Sequence, residues 1–159
     1  MKIIVLGMDN TGKTTLCQQL SEQLNTVIIK SPGPNLTQLE MDANIWANMT
    51  NTHNLILERF CFFEEMVYGK ILRGKSKYNF RSKPFEYIKE ANPVIVYCRP
   101  SKSVIKNWKE REQMEGVIDN SDKLLKQFDK VIKKAQKHGL KVIKYNYKQE
   151  TVFDVIAKL

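Results

Sequence analysis

Five short apolar runs, rich in β-branched residues, recur along the chain at residues 2–6, 26–29, 55–57, 94–97 and 140–145. Each run reads as a strand. Apolar residues at helical spacing fill the intervals. Leu16, Leu20 and Leu24 predict a helix after the first run. The turn residues Ser31 to Pro34 close the second, and Asn35 with Gln38 three positions on reads as a helix start whose inner face is Leu39, Ala43, Trp46 and Met49. Phe63, Met66, Val67 and Ile71 predict a helix ended by Gly74, and the basic, aperiodic segment from Arg73 to Pro84 reads as a surface loop before a short helix with Phe85 and Ile88. Val104, Ile105 and Trp108 mark another helix, and a long amphipathic one carries Leu124, Leu125, Phe128, Val131, Ile132 and Ala135. Val152, Phe153 and Ile156 mark the last. Strands alternating with helices imply right-handed crossovers and a three-layer α/β fold with a five-stranded parallel sheet, expected as one domain over residues 1–159.

Charge sharpens this picture. With 26 Lys and Arg against 17 Asp and Glu, the net charge of +9 points to an anionic partner, and a polyphosphate nucleotide meets that requirement without any polymer. Lys130, Lys133, Lys134 and Lys137 read as the wet face of the long helix. No apolar stretch approaches the roughly 20 residues a membrane helix needs, and Met1 leads straight into a strand rather than a signal sequence, so a cytoplasmic protein is expected. Cys17, Cys61 and Cys98 are odd in number and set in apolar patterns, which predicts buried, reduced thiols. His53 and His138 are too isolated for a metal site and read as structural.

The chemistry concentrates at Gly7 to Thr15, GMDNTGKTT. Gly7 to Thr14 fits GxxxxGKT and stands between a buried strand and an amphipathic helix, where a phosphate-binding loop must stand. Gly7 and Gly12 let the backbone approach phosphate, with Asp9, Asn10, Thr11 and Thr15 completing the loop. Lys13 is expected to reach the β and γ phosphates of ATP, and the Thr14 hydroxyl to ligate magnesium. Glu58 is the acidic residue at the carboxyl end of an interior strand, the position of a Walker B carboxylate that holds magnesium through water. Arg59 beside it is expected to clamp the acceptor or the phosphoryl group in flight.

At these residues the sequence resembles a family. GMDNTGKTTL is similar to the GxDGxGKTTL loop of thymidylate kinases, with Asn10 in place of glycine; Asn tolerates the left-handed backbone such a position requires. The resemblance implies that Asp9 lies near the acceptor or the transferred group. Glu58-Arg59 resembles the DR motif of those kinases and, by its longer carboxylate, the ER motif of deoxyribonucleoside kinases. Phe63 to Gly74 resembles the SxxVYGxxxRG stretch of small phage-type members, with Phe63 in place of serine and Tyr68 displaced by about one residue. It implies that Tyr68 packs on the acceptor base or sugar, with Phe63 a second aromatic candidate there; burial in the core is the alternative for both. The turn Lys30 to Pro34 resembles REPG, with Ser31 where glutamate is usual, so the general-base carboxylate of nucleoside kinases is missing from this turn. Residues 108–120 occupy the lid position of the family and offer Arg111, with Lys109, as cations over the transferring phosphates.

The resemblance implies ATP- and magnesium-dependent phosphoryl transfer to a deoxynucleoside monophosphate, thymidylate or a 5-modified pyrimidine nucleotide. A deoxynucleoside, a nucleotide within DNA, and a regulatory P-loop ATPase without an acceptor stay open as alternatives. A GTPase switch would carry NKxD and, outside the phosphate loop, DxxG; neither is present. The expected partner is a small nucleotide or nucleoside and no membrane is expected; nucleic acid stays open, as does a homodimer, the state that related kinases often adopt.

Overall fold

The computed structural model describes residues 1–33, 35–106 and 116–159. Pro34 and the lid candidates Trp108, Lys109 and Arg111 lie outside the described residues. Strands β1 (Lys2–Leu6), β2 (Val27–Lys30), β3 (Leu55–Glu58), β4 (Val94–Cys98) and β5 (Val142–Tyr145) form one all-parallel sheet in the order β2-β3-β1-β4-β5. The helical elements are α1 (Lys13–Leu24), α2 (Gln38–Thr50), α3 (Cys61–Glu64), a π turn (Glu65–Gly69), α4 (Lys70–Leu72), α5 (Pro84–Ala91), α6 (Lys102–Lys106), α7 (Ser121–Lys137) and α8 (Val152–Ile156).

The period-two geometry of the strands divides the core into two layers. Ile4, Leu6, Leu57, Ile95 and Tyr97 point to one face, beneath α2, the α3 segment, α5 and α7. Ile3, Val5, Ile56, Val96 and Cys98 point to the other, beneath α1 and α8. The three central strands are buried almost throughout, as their continuous apolar sequences require. All three cysteines are free and buried, and burial pushes the Cys61 and Cys98 thiols up to about 12. No helix among the described residues is long and apolar enough to cross a membrane.

Three local expectations are corrected. The first concerns the start of α2, which is capped by Thr37 rather than Asn35. The Thr37 side chain accepts from Glu40 N at 3.3 Å while Glu40 Oε2 accepts from Thr37 N at 2.8 Å. That reciprocal pair satisfies two otherwise orphaned amide donors.

The second concerns the face α2 buries. Met41, Ile45, Asn48 and Met49 face the core, while Leu39 is 78% and Trp46 54% exposed. The helix carries two apolar stripes, and tertiary anchors choose between them: Tyr78 Oη donates to Asp42 at 2.7 Å, and Cys61 Sγ lies 3.6 Å from Asn44 Oδ1. Phe153, likewise expected inside, is 62% exposed.

The third concerns the segment from Arg73 to Pro84, which is more than a surface loop. Tyr78 is 3% exposed and stacks on Phe62 at 5.1 Å, and Phe80 stacks on His138 at 4.8 Å. His138 is thus a structural residue at the end of α7, as its sequence context predicts.

Truncation distinguishes the two stripes of α2. Ile45→Ala should lower the unfolding free energy by about 2–5 kcal/mol in urea titration, and Leu39→Ala should change it by about 0.5 kcal/mol or less. Equal losses would contradict this orientation.

Candidate active site

The chain leaves β1 toward the β2–β3 side of the sheet and later returns from β3 across β1 to β4, so the switch in direction falls between β1 and β3. The crevice beyond the carboxyl ends of strands at such a point is where α/β sheets bind ligands. The register sets Val5 beside Glu58, which brings the loop after β1 and the dipeptide Glu58-Arg59 to the two sides of this crevice.

The loop has the geometry of a phosphate cradle. Gly7 has φ +150°, and a Cβ there would lie 2.5 Å from the Cys98 carbonyl oxygen and 2.8 Å from Thr11 Oγ1, so no side chain fits. Asn10 adopts the left-handed φ of +56° that its place in the motif requires. Thr11, 1% exposed, donates its hydroxyl to the Met8 carbonyl at 2.7 Å. Lys13 is buried and folds back so that Nζ donates to the same carbonyl and lies 3.8 Å from Asp9. Burial, then the neighbouring Arg59, lowers the Lys13 pKa, against the pull of Asp9 and Glu64. An anion in the cradle would relieve both effects.

Thr14 donates its hydroxyl to Glu58 Oε1, and Glu58 Oε2 is buried without a hydrogen-bond partner. A hydroxyl and a carboxylate with a vacant lone pair are the hard oxygen donors magnesium prefers, so these residues fit the ion. Among the described residues no group of three or more His, Cys, Asp or Glu side chains is arranged to hold a metal, so the remaining ligands would have to be water and phosphate oxygens.

Arg59 is the exceptional backbone position. Among the described residues the other non-glycine positions with positive φ are asparagines, whereas Arg59 holds φ +59°. Its amide still bonds Val5 of β1 at 3.0 Å, so the left-handed turn comes immediately after the last sheet bond. Such a conformation costs about 1–2 kcal/mol and is compensated by the ion pairs made beyond it. The guanidinium binds Asp9 of the loop and lies 3.5 Å from Glu64 Oε2. Burial opposes its charge, but Glu64 and Asp9 outweigh that and keep it firmly protonated.

The crevice opens into a cavity of about 990 Å³ lined by the phosphate loop, Ser31 to Gly33, Arg59, Glu64, Glu65, Tyr68 and Arg73. Tyr68 lines this cavity while 5% exposed, its ring edge-on to Phe128 at 5.7 Å. Phe63 does not: it is fully buried against Phe60, Phe62 and Phe80, which removes it from the acceptor side. Within the helical stretch, the five residues Glu65–Gly69 form the π turn. A π turn accommodates one extra residue in a helix and is frequent at functional sites; the displacement of Tyr68 by about one position against the resembled motif matches such an insertion.

Glu64, Glu65 and Arg73 are the site residues that sequence reasoning missed. Two adjacent glutamates inside an otherwise apolar helical segment were the available signal. Glu65, 8% exposed, binds Arg73 and accepts from Lys77 N at 3.2 Å. Gly69 makes room for this pair, since a Cβ there would lie 2.9 Å from Glu65 Cδ and 3.0 Å from Arg73 Nη2. Glu64 keeps Oε1 buried without a hydrogen-bond partner. Burial raises its pKa more than Arg59 and Lys13 lower it, with Asp9 adding to the rise.

Comparison with solved structures identifies the architecture. YorR protein from Bacillus subtilis, crystallised with phosphorylated GDP, aligns with a TM-score of 0.81 at 22% identity, over 99% of this chain and 94% of that one. Deoxyadenosine kinase from M. mycoides with bound dCTP aligns at 0.66 and 17% identity, over 99% and 97%. Thymidylate kinase from Ehrlichia chaffeensis aligns at 0.59 and 16%, over 99% and 97%. The fold is that of a P-loop kinase. A family model described as the ADP-ribosylation factor family matches residues 1–50, the span from β1 through α2 that includes the phosphate loop. A search of curated proteins by sequence finds no match.

The raised Glu64 pKa has a sign that can be checked. A carboxyl that holds its proton more tightly when folded stabilises the fold below its unfolded pKa, and that contribution is lost as pH rises through its folded value. Thermal melts from about pH 4 to 8 should show Glu64→Gln gaining on the native protein as pH rises. A constant difference between the two would contradict the raised value.

Proposed function

We propose that the protein catalyses ATP- and magnesium-dependent phosphoryl transfer to a nucleoside or nucleoside monophosphate. The observation that carries this reading is the Lys13-Asp9-Arg59-Glu64 chain of charges, which runs from the phosphate cradle into the wall of an adjoining cavity. The cavity that begins at the cradle continues past Arg59 to Glu64, Glu65, Tyr68 and Arg73, which leaves room for an acceptor as well as the donor phosphates.

In this reading the backbone amides of Gly7 to Thr15 and the start of α1 hold the donor polyphosphate. Lys13 leaves the Met8 carbonyl for the β and γ phosphates, and Arg59 swings from Asp9 toward the group in flight. Thr14 and Glu58 would hold magnesium, which would neutralise charge on the donor phosphates. Tyr68 packs against the acceptor. Arg111 would add a lid cation, as the family resemblance implies.

For the acceptor, Arg59 and Arg73 support the deoxynucleoside monophosphate expected from the sequence, thymidylate or a 5-modified pyrimidine among the candidates. Glu64 supports the second reading, a deoxynucleoside, because a buried carboxylate suits a hydroxyl better than a dianion.

Release of ADP with magnesium-ATP, measured against deoxynucleosides, their monophosphates and a DNA oligomer, tests the reading. Stimulation by one class of monomer is expected, whereas ADP release that no acceptor increases would favour a regulatory ATPase. Lys13→Ala should lower kcat on the order of a hundredfold or more with an unchanged circular dichroism spectrum. Arg59→Ala should lose turnover yet keep most ATP affinity in calorimetry; loss of ATP binding instead would move Arg59 to the donor side.

A further inference from the structure

The cavity beyond Arg59 holds a carboxylate in an unusual state. Glu64 lines the same cavity as Asp9 and Lys13, and Arg59 touches both Asp9 and Glu64, so Glu64 stands one guanidinium away from the phosphate loop. Its Oε2 faces Arg59 at 3.5 Å while its Oε1 has no donor among the described residues. A buried carboxylate oxygen without a hydrogen bond is costly and rare in folded proteins. The Tyr68 hydroxyl, one helical turn along, is also buried without a partner.

Two further observations bear on what meets this oxygen. The turn after β2 presents Ser31 and has no carboxylate through Gly33, so it offers an acceptor hydroxyl no base. The described cations of the cavity wall are all already met by carboxylates: Lys13 by Asp9, Arg59 by Asp9 and Glu64, and Arg73 by Glu65. An acceptor phosphate would lie against Glu64 and compete with the donor phosphates for these cations, whereas an uncharged hydroxyl supplies the missing donor and makes no such demand.

We infer that Glu64 is the proton acceptor of the reaction and that the acceptor substrate is an uncharged nucleoside bearing a free hydroxyl, not a nucleotide. This rests on the phosphotransferase reading above and names its substrate class. Rotation of the carboxyl about its last bond, a soft torsion, brings Oε1 toward the cavity. The acceptor oxygen forms a bond to the γ-phosphorus as the bond to the β,γ-bridging oxygen breaks, and that electron pair leaves on ADP. The hydroxyl proton passes to Glu64 and returns to water when the product departs.

Among the described residues the groups facing Glu64 are Lys13 and Asp9 of the phosphate loop, Arg59 after β3 and Tyr68 of the π turn. Burial outweighs the two cations and leaves the carboxyl a stronger base than an exposed glutamate. Turnover should therefore fall with decreasing pH along a limb placed above the ordinary carboxylate range, because Glu64 must be ionised to act.

The test is steady-state kinetics with magnesium-ATP and a panel of deoxynucleosides and their monophosphates. The native protein should turn over a nucleoside in preference to its monophosphate. Glu64→Gln should lower kcat by about 10²–10⁴-fold, abolish the acid limb, and leave the KM for ATP and the thermal shift produced by magnesium-ATP unchanged. Glu64→Asp should recover part of kcat together with the limb. A Glu64→Gln enzyme that loses only acceptor KM, or keeps the limb, would overturn the inference and leave the kinase reading standing, as would a native enzyme that prefers monophosphates. If no acceptor stimulates the native protein, the kinase reading itself fails and this one with it. Should Glu64→Gln not fold, Glu64→Asp decides: native kcat at native pH dependence would count against a proton-accepting role.

Discussion

The site depends on the parallel register between β1 and β3. Pairing Val5 with Glu58 sets the last residue of β3 level with the end of β1, two residues before the phosphate loop. The Thr14–Glu58 hydrogen bond and the Arg59–Asp9 ion pair follow from that placement. A slip of one residue would turn Glu58 to the opposite face, because side chains alternate along a strand. The apolar flanks Ile56 and Leu57 enforce the register, one in each core layer, and either would meet the wrong layer after a slip. The geometry of the candidate site is thus held by burial of the apolar residues next to it.

Arg59 turns that register into an active-site arrangement. Its amide completes the ladder to Val5, and its left-handed backbone then redirects the chain into α3. The side chain thereby reaches the loop after β1. Neutralising Asp9 and Glu64 together offsets the backbone cost, and either carboxylate alone would leave a half-buried guanidinium less well paired. Strain of this kind persists where surrounding structure holds it.

What could be read from the sequence was what local chemistry fixes. The strands, the phosphate loop, the left-handed Asn10 and the acidic end of β3 follow from residue type and neighbours alone. The inner face of α2 did not, because Leu39-Ala43-Trp46 and Met41-Ile45-Met49 are both at helical spacing, and only contacts with Tyr78 and Cys61 distinguish them. The π turn was visible only as the displaced Tyr68. Phe63 and Tyr68 are five positions apart in adjoining helical segments and both are buried, yet only Tyr68 lines the cavity. The role of Tyr78 and Phe80 in a basic, aperiodic segment was hidden because aromatic anchoring has no period.

Net charge was the least transferable of the sequence signals. The chain carries +9, which suggests a strongly anionic ligand, but that excess does not converge on the cavity. Among the described lining residues Lys13, Arg59 and Arg73 stand against Asp9, Glu64 and Glu65, a local balance of zero. Lys130, Lys133, Lys134 and Lys137 lie instead on the exposed side of α7, where salt screens them within about 10 Å. Global charge governs how an anion approaches the protein; the pairing and burial of individual groups govern what the cavity accepts. The phosphate loop needs no surplus side-chain charge to hold a polyphosphate, because its amides and the start of α1 supply the potential. The far end of the cavity has no such backbone source among the described residues, so in the proposed reading its chemistry rests on Arg59 and on Glu64, whose Oε1 has no hydrogen-bond partner among the described residues.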